Sequence, residues 1–228
     1  LKGRPYGGVV IMVKNALQKY TRTLYSSERC VIIKLYNTLI INVYLPCVGT
    51  VDRSLIIEDM LNEITIYLHS YPDCTCIIGG DFNCELDGTS QAADTINSFA
   101  SEYNLCRCDN LAGSKKCDTY VNGAFDCGSC IDYFLVTNCD KIVKFTVLDV
   151  GSNLSDHRPI IVDYVCDYVE NSSDNSASNC NKSHQSYLRW DHADLNAYYQ
   201  LTGQRLQALL DDFVSFEAVL FKRKIRFL

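Results

Sequence analysis

Apolar and polar positions along this chain follow two periods, and each marks out its own elements. The β-branched runs Val9–Val13, Val31–Leu35 and Leu39–Tyr44 predict strands. The last two flank Tyr36-Asn37-Thr38, which predicts a hairpin. Between Asp52 and His69 the apolar residues fall at Ile57, Met60, Leu61, Ile64 and Leu68. That is the spacing of one helix face, with Asp52 or Ser54 available as cap and Pro72 just beyond the end. Cys74–Ile78 predicts a short buried strand running into Gly79-Gly80, and a second helix carries Ile96, Phe99, Ala100 and Tyr103 on one face. Thr119–Val121, Ile131–Val136, Val143–Val147 and Ile160–Val165 complete the strands. Several are apolar on both faces, which predicts sheets covered by helices rather than a bare sandwich.

After Cys166 the pattern stops. Asn171-Ser-Ser-Asp-Asn-Ser-Ala-Ser-Asn has almost nothing to bury. The expected organisation is therefore one domain over residues 1–166, a polar flexible linker over 167–187, and a helical segment over 188–228 marked by Leu206, Leu209, Leu210 and Phe213. The closing Phe221-Lys-Arg-Lys-Ile-Arg-Phe-Leu is basic with interleaved aromatics and reads first as a solvated terminus. No internal repeat is visible.

Composition narrows the class. With 47% apolar and 21% charged residues over 228 positions the chain is globular. Its net charge of −6 argues against a protein wrapped in basic surface for nucleic acid. It does not exclude phosphate chemistry in a local cleft, where a divalent ion supplies the positive charge. No run is long and apolar enough to span a membrane, and no signal peptide is visible, so an intracellular, non-secreted protein is expected. In that setting the 13 cysteines should be free, reduced and mostly buried. Cys127-Gly-Ser-Cys130 is the single CxxC, and Cys74/Cys76 and Cys106/Cys108 do not complete a finger-like set, so zinc is not expected.

Four short constellations carry candidate chemistry. In Gly79-Gly80-Asp81-Phe82-Asn83, Asp81 and Asn83 lie two apart and share a face in extended geometry. They can take a proton from water and hydrogen-bond a phosphoryl oxygen, or form an Asx turn satisfying its own backbone. In Ser155-Asp156-His157-Arg158-Pro159, His157 can contact phosphate and Asp156 can hold a divalent cation; the alternative is a capped loop before an edge strand. Asp132 heads an apolar strand, where an unpaired charge is costly, so it calls for a partner such as a histidine. In Asn42-Val43-Tyr44-Leu45-Pro46, Tyr44 offers either a phosphate-binding hydroxyl or core packing.

The order strand-Tyr44, strand-GDFN, strand-Asp132, SDHRP-strand resembles the endonuclease/exonuclease/phosphatase superfamily, from about Tyr6 to Val165. Within it the chain looks most like the endonuclease of LINE-type (non-LTR) retrotransposons, because Tyr187-Leu-Arg-Trp190-Asp-His-Ala-Asp194 resembles the segment between endonuclease and reverse transcriptase in such polyproteins. The resemblance implies an α/β (α+β) fold of two packed, mostly antiparallel sheets flanked by helices, the DNase I-like four-layer sandwich. It implies that Asp81 orients or deprotonates the attacking water and that Asn83 and Tyr44 contact the phosphate. His157 would stabilise developing charge, Asp132 would orient His157, and Asp156 would lie near the metal. Thr119, in Asp118-Thr119-Tyr120, stands where retrotransposon members carry a substrate-side threonine.

The implied activity is a Mg²⁺-dependent endonuclease or phosphodiesterase, with Mn²⁺ as a substitute ion, acting on DNA. A reverse transcriptase in the same polyprotein and a nuclear site of action are implied with it. The family's first two motifs, an asparagine and a metal-binding glutamate, have no counterpart here, since the match starts at the Gly-Gly-Val strand. The expectation is thus a domain missing its N-terminal strands. An inactive remnant, or a small-molecule or lipid phosphoesterase of the same fold, stands as the alternative.

Overall fold

The computed structural model describes residues 8–111, 117–122, 127–148 and 155–165 in full, and the backbone of 224–227. The expected linker over 167–187, the helical segment up to residue 223 and the Tyr187–Asp194 segment lie outside the described residues.

A six-stranded sheet organises the molecule, in the order β1-β2-β3-β4-β8-β5. Its strands are β1 (Thr21–Ser26), β2 (Cys30–Leu35), β3 (Thr38–Tyr44), β4 (Thr75–Asp81), β5 (Cys106–Arg107) and β8 (Asp132–Val136). The β2–β3 hairpin forms where expected, with Leu35 opposite Thr38 and Tyr36 at φ 51 in the turn. A short α1 (Asn15–Gln18) precedes the sheet; β3 and β4 run parallel, so the chain must cross over between them, and α2 (Arg53–Ser70) makes that crossing. Asp52 precedes α2 in left-handed backbone and makes no side-chain cap, whereas Ser90 caps α3 (Gln91–Glu102) by accepting from the Ala93 amide.

Both faces of this sheet are covered, and strand alternation shows how. Cys76 and Ile78 of β4, with Tyr133 and Leu135 of β8, point into a core completed by Ile57, Leu61 and Ile64 of α2 and Ile96 and Phe99 of α3. Ile77, Phe134 and Val136 point the other way, onto Ile160, Val162 and Tyr164 of β10 (Ile160–Val165). β10 belongs to a second, three-stranded antiparallel sheet with β9 (Ile142–Val147) and β11 (Lys224–Phe227), in the order β11-β10-β9. A small hairpin, β6 (Tyr120–Asn122) with β7 (Cys127–Ser129), completes the strands. The layers are helices, sheet and sheet, the α/β packing expected from strands apolar on both faces.

Four expectations differ. Val9–Val13 is not paired as a strand: Ile11 and Val13 pack on the Ile33, Leu35 and Ile40 cluster, and the Asn42 side chain donates to Val10 O in place of a ladder. A β-branched run needs a neighbouring strand edge before it becomes a strand. β1, not anticipated, is built from Thr21-Arg-Thr-Leu-Tyr-Ser, whose β-formers are partly exposed on an edge. Residues 224–227, expected as part of a helical segment with a solvated basic end, pair with β10 instead, Val162 facing Phe227. The sequence Lys-Ile-Arg-Phe alternates with period two, the strand signal that the net basic character masks.

Finally, not all thiols are free. Cys106 and Cys139 form a disulfide, because β5 lies beside β8 and the turn after β8 returns Cys139 to within 6.1 Å (Cα–Cα) of Cys106. Of the free thiols among the described residues, Cys30, Cys76, Cys84 and Cys108 are buried, and Cys47 and Cys127 are exposed. No helix among the described residues is long and apolar enough to cross a membrane.

Candidate active site

The register of three adjacent strands assembles the site. Tyr44 ends β3 beside Asp81, which ends β4, and Asp81 lies directly opposite Asp132, which begins β8. Gly79 and Gly80 make this approach feasible. A Cβ on Gly79 would strike the Phe134 ring, and one on Gly80, at φ 139, would strike Val43 O. Only glycine tolerates such backbone at such distances. Beyond β4 the chain turns through Asn83 at φ 49, and the Asn83 amide donates to Asp81 Oδ1 at 2.8 Å.

His157 arrives from another sheet and is tied in by β6. Arg158 N donates to Thr119 O, Val121 N donates to Asp156 O, and Tyr120 pairs with His157 in an isolated bridge. The Thr119 hydroxyl accepts from the amides of both Ile131 and Asp132, at 3.0 Å each. One threonine therefore locks the start of β8 to the histidine loop. The result is an Asp132–His157 pair: His157 Nδ1 lies 3.0 Å from Asp132 Oδ2 and 3.2 Å from Oδ1. The Tyr120 ring packs edge-on at 5.1 Å from the imidazole.

Electrostatics set the three groups against one another. Burial, then the facing charge of Asp132, pushes Asp81 up to about 6, although the bonds from Asn83 and the charge of His157 act to lower it. His157 is raised above its ordinary value by the hydrogen bond it donates to Asp132. Burial opposes that rise, and the charges of Asp132, Asp81 and Asp156 add to it. Two carboxylates across a ladder repel unless a cation stands between or beside them. Here the charge of His157 acts on Asp81 in that sense.

Ligand atoms of Asp81, Asp132 and His157 all lie within 4.8 Å of one another. Two carboxylates and an imidazole form a mixed oxygen and nitrogen donor set, and a divalent ion would offset the facing charge of Asp132 that adds to burial in raising Asp81. The set fits a divalent cation. Asp156, expected at the metal, is exposed and is not among these atoms; it touches the site through its charge on His157.

The other candidates divide. Tyr44 is half-buried beside Asp81, with the Arg29 guanidinium 5.3 Å from its ring centroid. Asn83 donates its side-chain amide to Leu45 O at 2.8 Å and to Asp81 Oδ2 at 3.0 Å, so it orients Asp81 in this arrangement. Thr119 has no exposed surface, which corrects the substrate contact expected of it; it is a positioning residue. Sequence reasoning missed Tyr120 and Arg53. Tyr120 adjoins a singled-out threonine and its role appears only through the cross-sheet bridge. Arg53 donates to Pro46 O and Asn83 O, tying the two loops of the mouth together, and no motif in the sequence marks it.

A cavity of about 550 Å³ runs from Asp81, Asp132 and His157 between the two sheets, with Ile40, Ile77 and Phe134 on its floor. Comparison with solved structures supports the layered fold. The chain is similar to a 3′ phosphatase from Neisseria solved with a product DNA hairpin, at 13% identity and TM-score 0.51, over 63% of this chain and 70% of that one. It also matches an AP endonuclease from Archaeoglobus fulgidus (18%, TM-score 0.47, 60% of this chain and 65% of that one). A third match is the endonuclease domain of TRAS1, a telomere-specific non-LTR retrotransposon (18%, TM-score 0.48, 61% and 64%). No curated protein matches the chain. The endonuclease-reverse transcriptase family matches residues 38–161, which span β3 to the start of β10 and every candidate residue above. The chain therefore belongs to the endonuclease-reverse transcriptase family of the endonuclease/exonuclease/phosphatase superfamily.

Proposed function

We propose that this chain hydrolyses phosphodiester bonds in DNA with the help of a divalent metal, as the nuclease part of a retrotransposon polyprotein that also carries a reverse transcriptase. The observation that carries the reading is the Asp132–His157 pair set opposite Asp81, with ligand atoms of all three within 4.8 Å. Hydrolysis needs a base for water, charge neutralisation on the phosphoryl oxygens and a positioned phosphate. Asp81, lifted to about 6, is ionised at neutral pH yet basic enough to accept a proton from water. Asn83 holds its carboxylate through two hydrogen bonds. His157, kept protonated by Asp132, donates to a phosphoryl oxygen as negative charge grows there. Tyr44 stands beside Asp81 to receive the phosphate. A Mg²⁺ or Mn²⁺ held by Asp81 and Asp132 would supply Lewis-acid neutralisation when bound.

The full chain should nick supercoiled plasmid with Mg²⁺, and Asp81→Ala or His157→Ala should abolish nicking. Nicking that survives both substitutions defeats this assignment. Hydrolysis of small phosphomonoesters but not of plasmid would move the reading to a phosphoesterase of the same fold.

A further inference from the structure

Arg53 opens α2 in a place that the helix itself disfavours. A cation in the first turn stands against the helix dipole, and no acidic residue in that turn offsets it. Asp52, just before it, lies in left-handed backbone at φ 55 and makes no side-chain cap. Both features cost stability, and strain that a fold retains tends to gather at functional sites. Among the described residues Asn83, at φ 49, is another non-glycine residue held at positive φ. Arg53 connects the two, following Asp52 in the chain and donating to Asn83 O.

The half-buried guanidinium spans two loops. Its Nε donates to Pro46 O at 2.8 Å and its Nη2 to Asn83 O at 2.9 Å, and neither acceptor is a carboxylate. Pro46 follows Tyr44 by two residues, and Asn83 follows Asp81 by two. Further bonds close these loops into a ring. Asn83 Nδ2 donates to Leu45 O at 2.8 Å, and Leu45 N donates to Asp81 O at 2.8 Å. Leu45 itself is buried, which fixes the ring to the core.

Asn83 in turn aims both oxygens of Asp81, its amide at Oδ1 and its Nδ2 at Oδ2. The carboxylate is therefore oriented by one residue in strained backbone, and the carbonyl of that residue is held by Arg53. A planar guanidinium presents donors at fixed spacing and can bridge two carbonyls, whereas a lysine ammonium is a single point of attachment. Resting on the phosphodiesterase reading above, we infer that Arg53 is a positioning residue, which sets the orientation of the Asp81 carboxylate through Asn83 and keeps the Tyr44 loop in register with it.

The test compares the full chain with Arg53→Ala, Arg53→Lys, Asn83→Ala and the Arg53→Ala/Asn83→Ala double variant. One reading needs no turnover: solvent exchange of the Asn83 side-chain amide by ¹⁵N NMR, its signal assigned by its loss in Asn83→Ala. Exchange should be roughly three- to ten-fold faster in Arg53→Ala, as the bonds of that amide loosen. The other reading is hydrolysis of bis(4-nitrophenyl) phosphate with Mn²⁺. There kcat should fall about 10²-fold in Arg53→Ala, the effect of a small misplacement, with KM unchanged. In the Asn83→Ala background the same substitution should cost nothing further, because its effect runs through Asn83. Arg53→Lys keeps the charge without the fork and should fall between parent and Arg53→Ala; it carries the test if Arg53→Ala does not fold. Unchanged exchange, a kcat for Arg53→Lys equal to that of the parent, or a full additional loss in the double variant overturns the inference. Faster exchange in Arg53→Ala with no diester hydrolysis by the parent chain supports the positioning and sinks the catalytic reading alone.

Discussion

Two ionic clusters are built on the same six-stranded sheet, and their contrast separates matched charge from the mismatched charge on which the proposed function rests. In the first, Arg107 of β5 lies between Asp87 and Asp109 at 2.6 and 2.5 Å, its guanidinium 5.0 Å over the Tyr133 ring. Burial works against its charge, but the bonds it donates to Asp109 and Asp87 outweigh burial and hold it above its ordinary value. Every group there is matched to a permanent cation. The second is the trio of Asp81, Asp132 and His157, where the cation is titratable and one carboxylate is lifted to about 6. Matched charge fixes position, and mismatched charge near neutral pH is available for proton transfer and for a metal.

Tyr133 shows how the first cluster serves the second. Its hydroxyl donates to Cys130 O and accepts from Leu86 N, joining the strand of Asp132 to the loop that follows Asn83. The scaffold cluster therefore steadies the walls of the reactive one.

The largest way to break the contrast is Asp81→Asn. It should cut kcat/KM for plasmid nicking by roughly 10²–10⁴-fold, the worth of a general base. Thermal stability at pH 8 should hold or rise, since a repelled carboxylate is removed. Next comes Arg107→Met, which leaves Asp109 buried at 8% exposure without its partner. A loss of about 3–5 kcal/mol is expected by denaturant titration. Unchanged stability would mean that this cluster is no scaffold.

Gly79→Ala should cost about 1–3 kcal/mol through its clash with Phe134, read as a lowered Tm, with nicking reduced only as far as the folded fraction falls.

The pH dependence sharpens the contrast with smaller effects. Asp81 has a folded value of about 6 against 3.8 in free chains, so its folded form prefers the proton. Its ionisation lowers stability as pH rises from about 4 to about 6, and the penalty is full above that. His157 is raised above 6.5, so its pairing with Asp132 stabilises fully below 6.5 and is lost as pH rises through the folded value. Both contributions fall in the same direction. Without metal, Tm should decline from pH 5 to pH 8, and Asp81→Asn should flatten the lower part of that decline. With Mg²⁺ bound beside Asp81, the acid limb of kcat/KM should lie below about pH 6, because the cation favours the carboxylate.

Much of this was legible in the sequence, for reasons that differ by residue. The place of Asp81 at a strand end was readable because a buried run and two glycines precede it, and its candidacy as a base came from the family resemblance. Asp132 was readable because a charge at the head of an apolar strand demands a partner, and His157 is that partner. α2 and α3 followed from helical periodicity. Thr119 was placed on the substrate side by the family resemblance; its buried hydroxyl accepts from amides 12 and 13 residues further along, a contact that spacing cannot reveal. The Cys106–Cys139 disulfide was missed because it depends on β5 joining the sheet edge beside β8. Val9–Val13 carried the strand composition but found no ladder, and Lys224–Phe227 found one that its charge had hidden.

The central claim is that Asp81 and Asp132 share one divalent ion beside His157. The most direct measurement is titration of Mn²⁺ into the full chain at pH 8, followed by electron paramagnetic resonance of the free ion. One tight Mn²⁺ per chain is expected, displaced by Mg²⁺ and lost in both Asp81→Asn and Asp132→Asn. Equal binding in the parent chain and both variants, or none in the parent, would contradict it.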